Sequence, residues 1–188
     1  MKKRTLITLI AAMALIFTIS CGDDPATPDK EEDGIDWPDM TSRDDVIKTV
    51  VLTYEHPNDA ESDSKYNALL HSLYFFKLHE SDVISGESQI MTRAEDLLST
   101  EWIFDTQTML ELTIDPEIGS WDTVAEVEGE ACTDCWETTR SYFVRAQFED
   151  EGTIYQSPPE SAFVRIVVAP DEDDGSKWVL RAMFDLGV

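Results

Sequence analysis

The sequence predicts an α+β domain in which three N-terminal helices pack in a strongly curved antiparallel sheet. Two observations support this fold class. Between Val46 and Leu98 apolar residues recur at helical spacing, whereas from Leu110 onward they alternate with polar residues, as in strands. Helices that precede a run of strands joined by turns are typical of an α+β domain. The segment from Thr41 to Val188 is long enough for one domain with a single core.

The first helix is predicted to begin after Thr41 or Ser42, both N-cap candidates, with Asp44 and Asp45 in the first turn, where the helix dipole favours negative charge. Its apolar face contains Val46, Ile47, Val50, Val51 and Tyr54. Pro57 is expected to end this helix, because proline removes a backbone donor and fixes φ.

A second, short helix has an apolar stripe and leads into an aromatic strand over residues 74–78. The stripe contains Tyr66, Leu69, Leu70 and Leu73. A third helix is predicted to begin near Thr92, because Thr92 and Glu95 have the spacing of a capping box. Its apolar face contains Ala94, Leu97, Leu98 and Trp102.

The rest of the domain is predicted to form an antiparallel meander, because short alternating segments are separated by turn residues. A long strand is expected from Trp136 to about Phe148, and an acidic turn over Asp171–Gly175. On the last strand, apolar residues at every second position are expected to share one face of the sheet. Asp185 lies at an alternate position and is therefore expected to face outward. The apolar set contains Trp178, Leu180, Ala182 and Phe184.

The chain begins with basic residues at positions 2–4, an uncharged and mostly apolar run from Thr5 to Ile19, and then Cys21. This layout resembles a bacterial lipoprotein signal, which implies a leader over residues 1–20 and lipid on Cys21. Thr18 stands where that pattern has an aliphatic residue, so an ordinary signal peptide cut near the same place is the alternative. The run has 15 residues, whereas a membrane-spanning helix needs about 20. We therefore expect a lipid-anchored envelope protein, at the outer membrane.

The chain is strongly acidic, with 14 Lys and Arg residues against 39 Asp and Glu residues and a net charge of −25. Removal of residues 1–20 would take away three basic residues and no acidic one, and so change the net charge from −25 to −28. Such a charge repels phosphate backbones, which argues against nucleic acid as a partner. Residues 21–40 are acidic, poor in apolar residues and contain three prolines, so they are predicted to be a flexible tether.

Two segments of the domain resemble the NTF2-like superfamily, which includes SnoaL-like proteins and ketosteroid isomerases. One runs from the first helix through residues 66–70 to the aromatic strand at 74–78. The other is the closing strand over residues 177–185. The resemblance covers about residues 42–186 and implies a cone with an apolar pocket between sheet and helices. It implies no reaction, since this fold carries both enzymes and binding domains. From the resemblance, Tyr54, Trp102 and Tyr142 are candidates to line the pocket.

Cys132 and Cys135 form a Cys-Thr-Asp-Cys motif that is predicted to lie between two strands. In an exported protein a disulfide is chemically allowed. A redox role would need a stabilised thiolate, which the neighbouring acidic residues disfavour. Zinc would need two further ligands. A structural disulfide or an unbonded pair in a hairpin is therefore favoured, with zinc and redox roles as the alternatives.

The three histidines, His56, His71 and His79, are each expected to be structural or solvated. Asp171–Gly175 does not match an EF-hand, because glycine falls at the fifth position of the loop rather than the sixth. The sequence contains no phosphate-binding glycine loop, no HExxH motif and no Gly-x-Ser-x-Gly motif. We therefore expect no metal and no cofactor.

Three functional hypotheses follow. The favoured one is a non-enzymatic domain that binds a small apolar ligand or a protein partner. The second is an isomerase- or lyase-like enzyme with an acid–base residue in the pocket. The third is a homodimerisation module, in which the outward residues Phe143, Val167 and Val179 would pair two sheets.

Overall fold

The structure, a computed structural model, describes residues 34–83, 87–115, 120–148, 154–157 and 162–187. The predicted leader, Cys21 and the tether up to residue 33 lie outside the described residues. The compact unit that contains the domain begins at Asp36. Within the described residues it contains α1 (Arg43–Glu55), α2 (Ser62–Leu69), β1 (Leu70–Lys77), β2 (Ile90–Thr92), α3 (Arg93–Thr106), β3 (Gln107–Ile114), β4 (Asp122–Val127), β5 (Glu130–Phe148), β6 (Ile154–Gln156), β7 (Phe163–Pro170) and β8 (Trp178–Asp185).

Capping boxes begin the two longer helices, as the sequence predicts. At α1 the backbone N of Asp45 donates to Ser42 Oγ over 3.2 Å, and the backbone N of Ser42 donates to Asp45 Oδ2 over 3.0 Å. Thr92 and Glu95 make the same reciprocal pair at α3. These bonds satisfy amide donors that have no partner inside the helix. α2 ends at Leu69, so Leu73 of the predicted stripe lies in β1 instead, where its side chain is 56% exposed.

The sheet is mixed, which corrects the prediction of a wholly antiparallel one. Its main strand order is β2-β1-β8-β7-β5-β3, with β4 and β6 also paired to β5. β1 and β8 run parallel, and the other pairs are antiparallel. The cause is that β8 enters between β7 and β1. The hairpin from β7 fixes the direction of β8, and β1 then lies alongside it in the same direction.

β5 spans 19 residues and links the two parts of the sheet. Its segment Trp136–Ser141 pairs with β7, and its segment Tyr142–Phe148 pairs with β3. One strand thus changes neighbours along its length, which curves the sheet around the helices. The predicted cone therefore depends on β5.

A β-bulge in β8 sets which side chains face the helices. Val168 is paired with Leu180 but Val167 with Ala182, so β8 contains one extra residue, Arg181, at this point. An extra residue reverses the alternation of every side chain that follows it. Leu180 therefore packs in the cluster beneath the helices, whereas Ala182 packs on the opposite face.

The bulge overturns two expectations about β8. Ala182 and Phe184 do not share a face with Trp178 and Leu180. Asp185 does not face outward either, because it lines the interior cavity described below. Strict alternation from Trp178 gave the wrong face for every residue after Arg181.

A second cluster of buried apolar side chains covers the outer face of the sheet. It contains Val127, Cys135, Val167, Ala169, Ala182 and Phe184. The hairpin of β4 and β5 supplies two of these residues and covers the face. The expected outward patch is therefore wrong, because Val167 and Val179 are buried and Phe143 is half-buried.

Arg43, the first residue of α1, is surrounded by three tryptophans. Its guanidinium carbon lies 3.9 Å from the ring centre of Trp136 and 5.6 Å from the ring centres of Trp121 and Trp178. Trp121 Nε1 also donates to Asp44 Oδ1 over 2.9 Å. A cation over the faces of aromatic rings is held by their quadrupoles. These contacts fasten the start of α1 to the sheet.

We expect Arg43→Met to lower the free energy of unfolding by about 2 kcal/mol, because it removes a partly desolvated cation–π cluster. Urea denaturation followed by tryptophan fluorescence measures the loss. Lys48→Met is the control, since Lys48 lies on the same helix with its side chain 66% exposed, and we expect it to change stability little. Equal losses in the two variants would contradict a stabilising role for the cluster.

Candidate functional site

A cavity of about 250 Å³ lies between the helices and the inner face of the sheet. Most of its wall is apolar and comes from α1, α3 and six strands. Its apolar lining contains Val50, Phe76, Met91, Ile103, Leu112, Ile114, Val144, Val164 and Met183. We call this space the inner cavity.

Four polar side chains at the inner cavity come from four different elements: Tyr54 from α1, Tyr66 from α2, Tyr74 from β1 and Asp96 from α3. We call them the tyrosine–aspartate cluster. Tyr66 Oη donates to Asp96 Oδ2 over 2.8 Å. Tyr74 Oη is buried and has no hydrogen-bond partner among the described residues. A buried hydroxyl without a partner is costly unless another group satisfies it.

Packing of aromatic rings fixes the positions of the Tyr54 and Tyr66 hydroxyls. The rings of Tyr54 and Phe104 meet edge to face with centroids 5.3 Å apart. Tyr66 contacts both of them in the same manner, at 6.1 Å from Tyr54 and 6.4 Å from Phe104. Edge-to-face pairs of this kind add stability beyond simple burial. The cluster is thus built into the core and does not depend on mobile surface side chains.

Burial shifts the ionisation of the cluster. It raises the pKa of Asp96 from 3.8 to about 6, and the hydrogen bond from Tyr66 opposes only part of this rise. Burial, with the negative charge of Asp96, raises the pKa of Tyr54 to about 12. Burial also raises the pKa of Tyr66 and of Tyr74 well above 10. At neutral pH the three hydroxyls therefore keep their protons, and Asp96 titrates within the physiological range.

A second polar pair borders the same cavity. Tyr142 Oη donates to Asp185 Oδ1 over 3.2 Å, and the backbone N of Gly187 donates to the same oxygen over 2.9 Å. Burial, followed by the charge of Asp185, raises the pKa of Tyr142. The bulge at Arg181 gives Asp185 this position, since without it Asp185 would lie on the other face of the sheet.

Of the three residues proposed for the pocket, Tyr54 and Tyr142 line the inner cavity and Trp102 does not. Trp102 is 55% exposed on the outer side of α3, where its ring stacks on Phe148 at 4.9 Å between centroids. Its apolar character suggested the inner face, but its position on α3 turns it outward.

The sequence pattern does not reveal Asp96, Tyr66 and Tyr74 as a polar cluster. Asp96 is in the first turn of α3, where an acidic residue is explained by the helix dipole alone. Tyr66 and Tyr74 belong to apolar patterns, which predict burial but not the direction of a hydroxyl. The sequence did contain one signal: Asp96 directly follows the capping residue Glu95 and lies close to the apolar stripe of the helix.

The Sγ atoms of Cys132 and Cys135 are 1.95 Å apart, as a disulfide. The motif lies within β5 and not in the connection before it, and Cys135 packs in the outer apolar cluster. No group of three or more His, Cys, Asp or Glu side chains in the described part of the chain is arranged to hold a metal ion.

None of the three histidines lines the inner cavity. His56 is the C-cap of α1, and its carbonyl accepts a hydrogen bond from Ser62 Oγ. His71 Nε2 lies 3.7 Å from Glu172 Oε1, and burial lowers the pKa of the ring. His79 is the N-cap of a short 3₁₀ turn.

Comparison with known proteins identifies the fold. No protein-family model matches the chain, and no curated protein sequence does either. Among solved structures, an NTF2-like superfamily protein from Salmonella enterica superposes with a TM-score of 0.51 at 9% identity, over 76% of this chain and 85% of its own. The domain has the NTF2-like fold. A proposed aromatic ring hydroxylase from Novosphingobium aromaticivorans superposes on this NTF2-like domain with a TM-score of 0.54 at 8% identity, over 76% and 83%.

At these identities the likeness concerns the fold of the NTF2-like domain alone. Among the residues that the structure describes, no helix is both long and apolar enough to span a bilayer.

Proposed function

We propose that the NTF2-like domain binds a small, largely apolar molecule that carries a hydrogen-bonding group, on a protein held at the bacterial envelope by lipid on Cys21. The inner cavity carries the binding part of this proposal. Natural ligand sites are mostly apolar pockets with a few well-placed polar groups and volumes of about 300–1,000 Å³. The inner cavity, at about 250 Å³, has this composition and suits a small ligand.

The tyrosine–aspartate cluster would fix the orientation of such a ligand. Tyr74 Oη has no partner among the described residues, so a ligand oxygen that accepted a hydrogen bond from it would remove a desolvation cost. The bulky side chains that could have filled the cone lie elsewhere: Trp102 is on the outer side of α3, and Trp121 packs against Arg43.

The binding proposal is tested with phenylbutanol, a neutral probe with an apolar body and one hydroxyl. We expect isothermal titration calorimetry to detect its binding, and Ser99→Phe to weaken it about tenfold or more, because the new ring would occupy the cavity that Ser99 lines. Glu101→Phe is the matched control, since it adds the same ring at an exposed position of the same helix. The absence of binding to the wild type, or equal binding by the two variants, would refute the proposal.

The attachment to a membrane rests on Cys21 and the leader, and is tested separately. We expect the Cys21→Ala protein, with its leader still removed, to leave the membrane fraction, because stable anchoring needs more than one acyl chain and the domain then has none. Fractionation of cells followed by mass spectrometry of the N-terminal peptide measures both the location and the lipid. A Cys21→Ala protein that sediments with membranes as fully as the parent would refute lipid attachment at this residue.

A second candidate function, proton transfer by an enzyme, is favoured by Asp96. A carboxyl group with its pKa raised to about 6 in an apolar cavity, beside a tyrosine hydroxyl, is suited to general acid–base chemistry. Such an enzyme would move a proton between two carbons of an unsaturated ketone. The rate should then depend on a group with a pKa near 6 and be lost in Asp96→Asn, while phenylbutanol still binds.

A further inference from the structure

A second cavity adjoins the inner one. It has a volume of about 460 Å³, and three of its lining residues, Tyr142, Val144 and Asp185, line the inner cavity too. We call it the outer chamber. The remaining described residues of its wall are Ser81, Asp82, Ala146, Gln156, Ser157, Ala162 and Gly187. The hydrogen-bonded pair of Tyr142 and Asp185 therefore borders both spaces.

The chemistry of the two spaces differs. The inner cavity is mostly apolar, whereas the outer chamber has hydroxyl, amide and carboxylate groups from Ser81, Asp82, Gln156, Ser157 and Asp185. A molecule that occupied both would need an apolar body and a polar end. A rigid, wholly apolar ligand would make no use of the polar groups of the outer chamber.

The charges of the described lining residues determine which charge the polar end of a ligand should carry. The inner cavity and the outer chamber are lined by the carboxylates Asp82, Asp96 and Asp185, and by no lysine, arginine or histidine among the residues described. An anionic group would meet only like charges there, which disfavours its binding. A cationic group would find opposite charges.

Asp185 is held ready to accept such a cation. Tyr142 Oη and the backbone N of Gly187 both donate to its Oδ1, and Oδ2 takes part in neither bond. The two donors fix the orientation of the carboxylate, so a ligand ammonium could pair with Oδ2 without first ordering the side chain. Preorganisation of this kind lowers the entropy cost of binding.

We propose that the domain selects amphiphilic amines, with the apolar body in the inner cavity and the ammonium group beside Asp185 and Asp82 in the outer chamber. This inference rests on the proposed binding function, and it adds the charge, the shape and the orientation of the ligand.

The test compares phenylbutylamine, phenylbutanol and phenylbutanoate, which share one apolar body and differ in the polar end. Isothermal titration calorimetry on the mature protein at neutral pH should give an order of affinity of amine, then alcohol, then carboxylate. We expect the amine to bind about tenfold or more tightly than the carboxylate, which corresponds to about 1.4 kcal/mol. If none of the three binds, the proposed function fails; if all three bind equally, that function stands and this inference fails.

Variants test where the ammonium group lies. Asp185→Asn and Asp82→Asn should each reduce the ratio of the affinity for the amine to the affinity for the alcohol. Asp173→Asn, which removes one charge from the β7–β8 turn outside both cavities, should leave this ratio unchanged. A preference that is lost in Asp96→Asn but kept in Asp185→Asn would place the ammonium in the inner cavity and overturn the proposed orientation.

Discussion

Asp96→Asn is expected to raise the free energy of unfolding at neutral pH by about 3 kcal/mol. The carboxyl of Asp96 has its pKa raised by burial from 3.8 to about 6 in the folded domain. A rise of that size corresponds to about 3 kcal/mol of unfavourable free energy when the group is ionised. Asparagine has no charge to desolvate, and its carbonyl can still accept the hydrogen bond from Tyr66.

The dependence of stability on pH follows from the raised pKa of Asp96. Between about pH 4 and pH 6 the folded state keeps the proton on Asp96 while the unfolded state loses it, so this residue makes stability fall as pH rises. The advantage of Asp96→Asn over the wild type should therefore be full at neutral pH and nearly absent at about pH 4. Urea denaturation at a series of pH values measures the difference.

Asp105→Asn is the control for this experiment, because Asp105 lies on the same helix and is exposed. We expect it to change stability little at any of these pH values. An Asp96→Asn protein that is no more stable than Asp105→Asn at neutral pH would show that the carboxyl is not desolvated. If Asp96→Asn is more stable but loses ligand binding or turnover, then the buried carboxyl is needed for function and lowers stability.

Leu180→Ala is expected to lower the free energy of unfolding by about 4 kcal/mol, since the side chain is fully buried beneath the helices and its removal leaves a cavity. Leu73→Ala is the matched control on the neighbouring strand β1. The Leu73 side chain is 56% exposed, so we expect a loss below about 1 kcal/mol. Similar losses in the two variants would mean that Leu180 is not packed in the core.

The sequence was most informative where local chemistry decides the structure. The caps at Ser42 and Thr92 are confirmed, because a hydroxyl and a carboxylate three residues apart satisfy the same amides in any context. The α+β class is confirmed for a related reason, since helical and strand periods differ along the chain.

The predictions failed where a non-local pairing intervenes. The parallel pairing of β1 with β8 depends on where the last strand inserts, and no local pattern encodes that. The bulge at Arg181 reversed the faces of Phe184 and Asp185, so a correct strand gave an incorrect orientation. The predicted site was incomplete for the same reason: Tyr54 and Tyr142 were proposed, but Asp96 comes to line the same cavity only through the packing of α3 against the sheet.

The length of β5 limits where insertions and deletions can be accepted during evolution. Residues 130–148 form one uninterrupted strand that pairs with β4, β7, β3 and β6 in turn. Inserting or deleting a single residue between Arg140 and Tyr142 would turn Tyr142 and Val144 away from the cavity and shift their pairing with β3. Insertions and deletions should therefore be excluded from β5 and confined to the turns. Related chains should then differ in loop length, while this strand keeps the same number of residues.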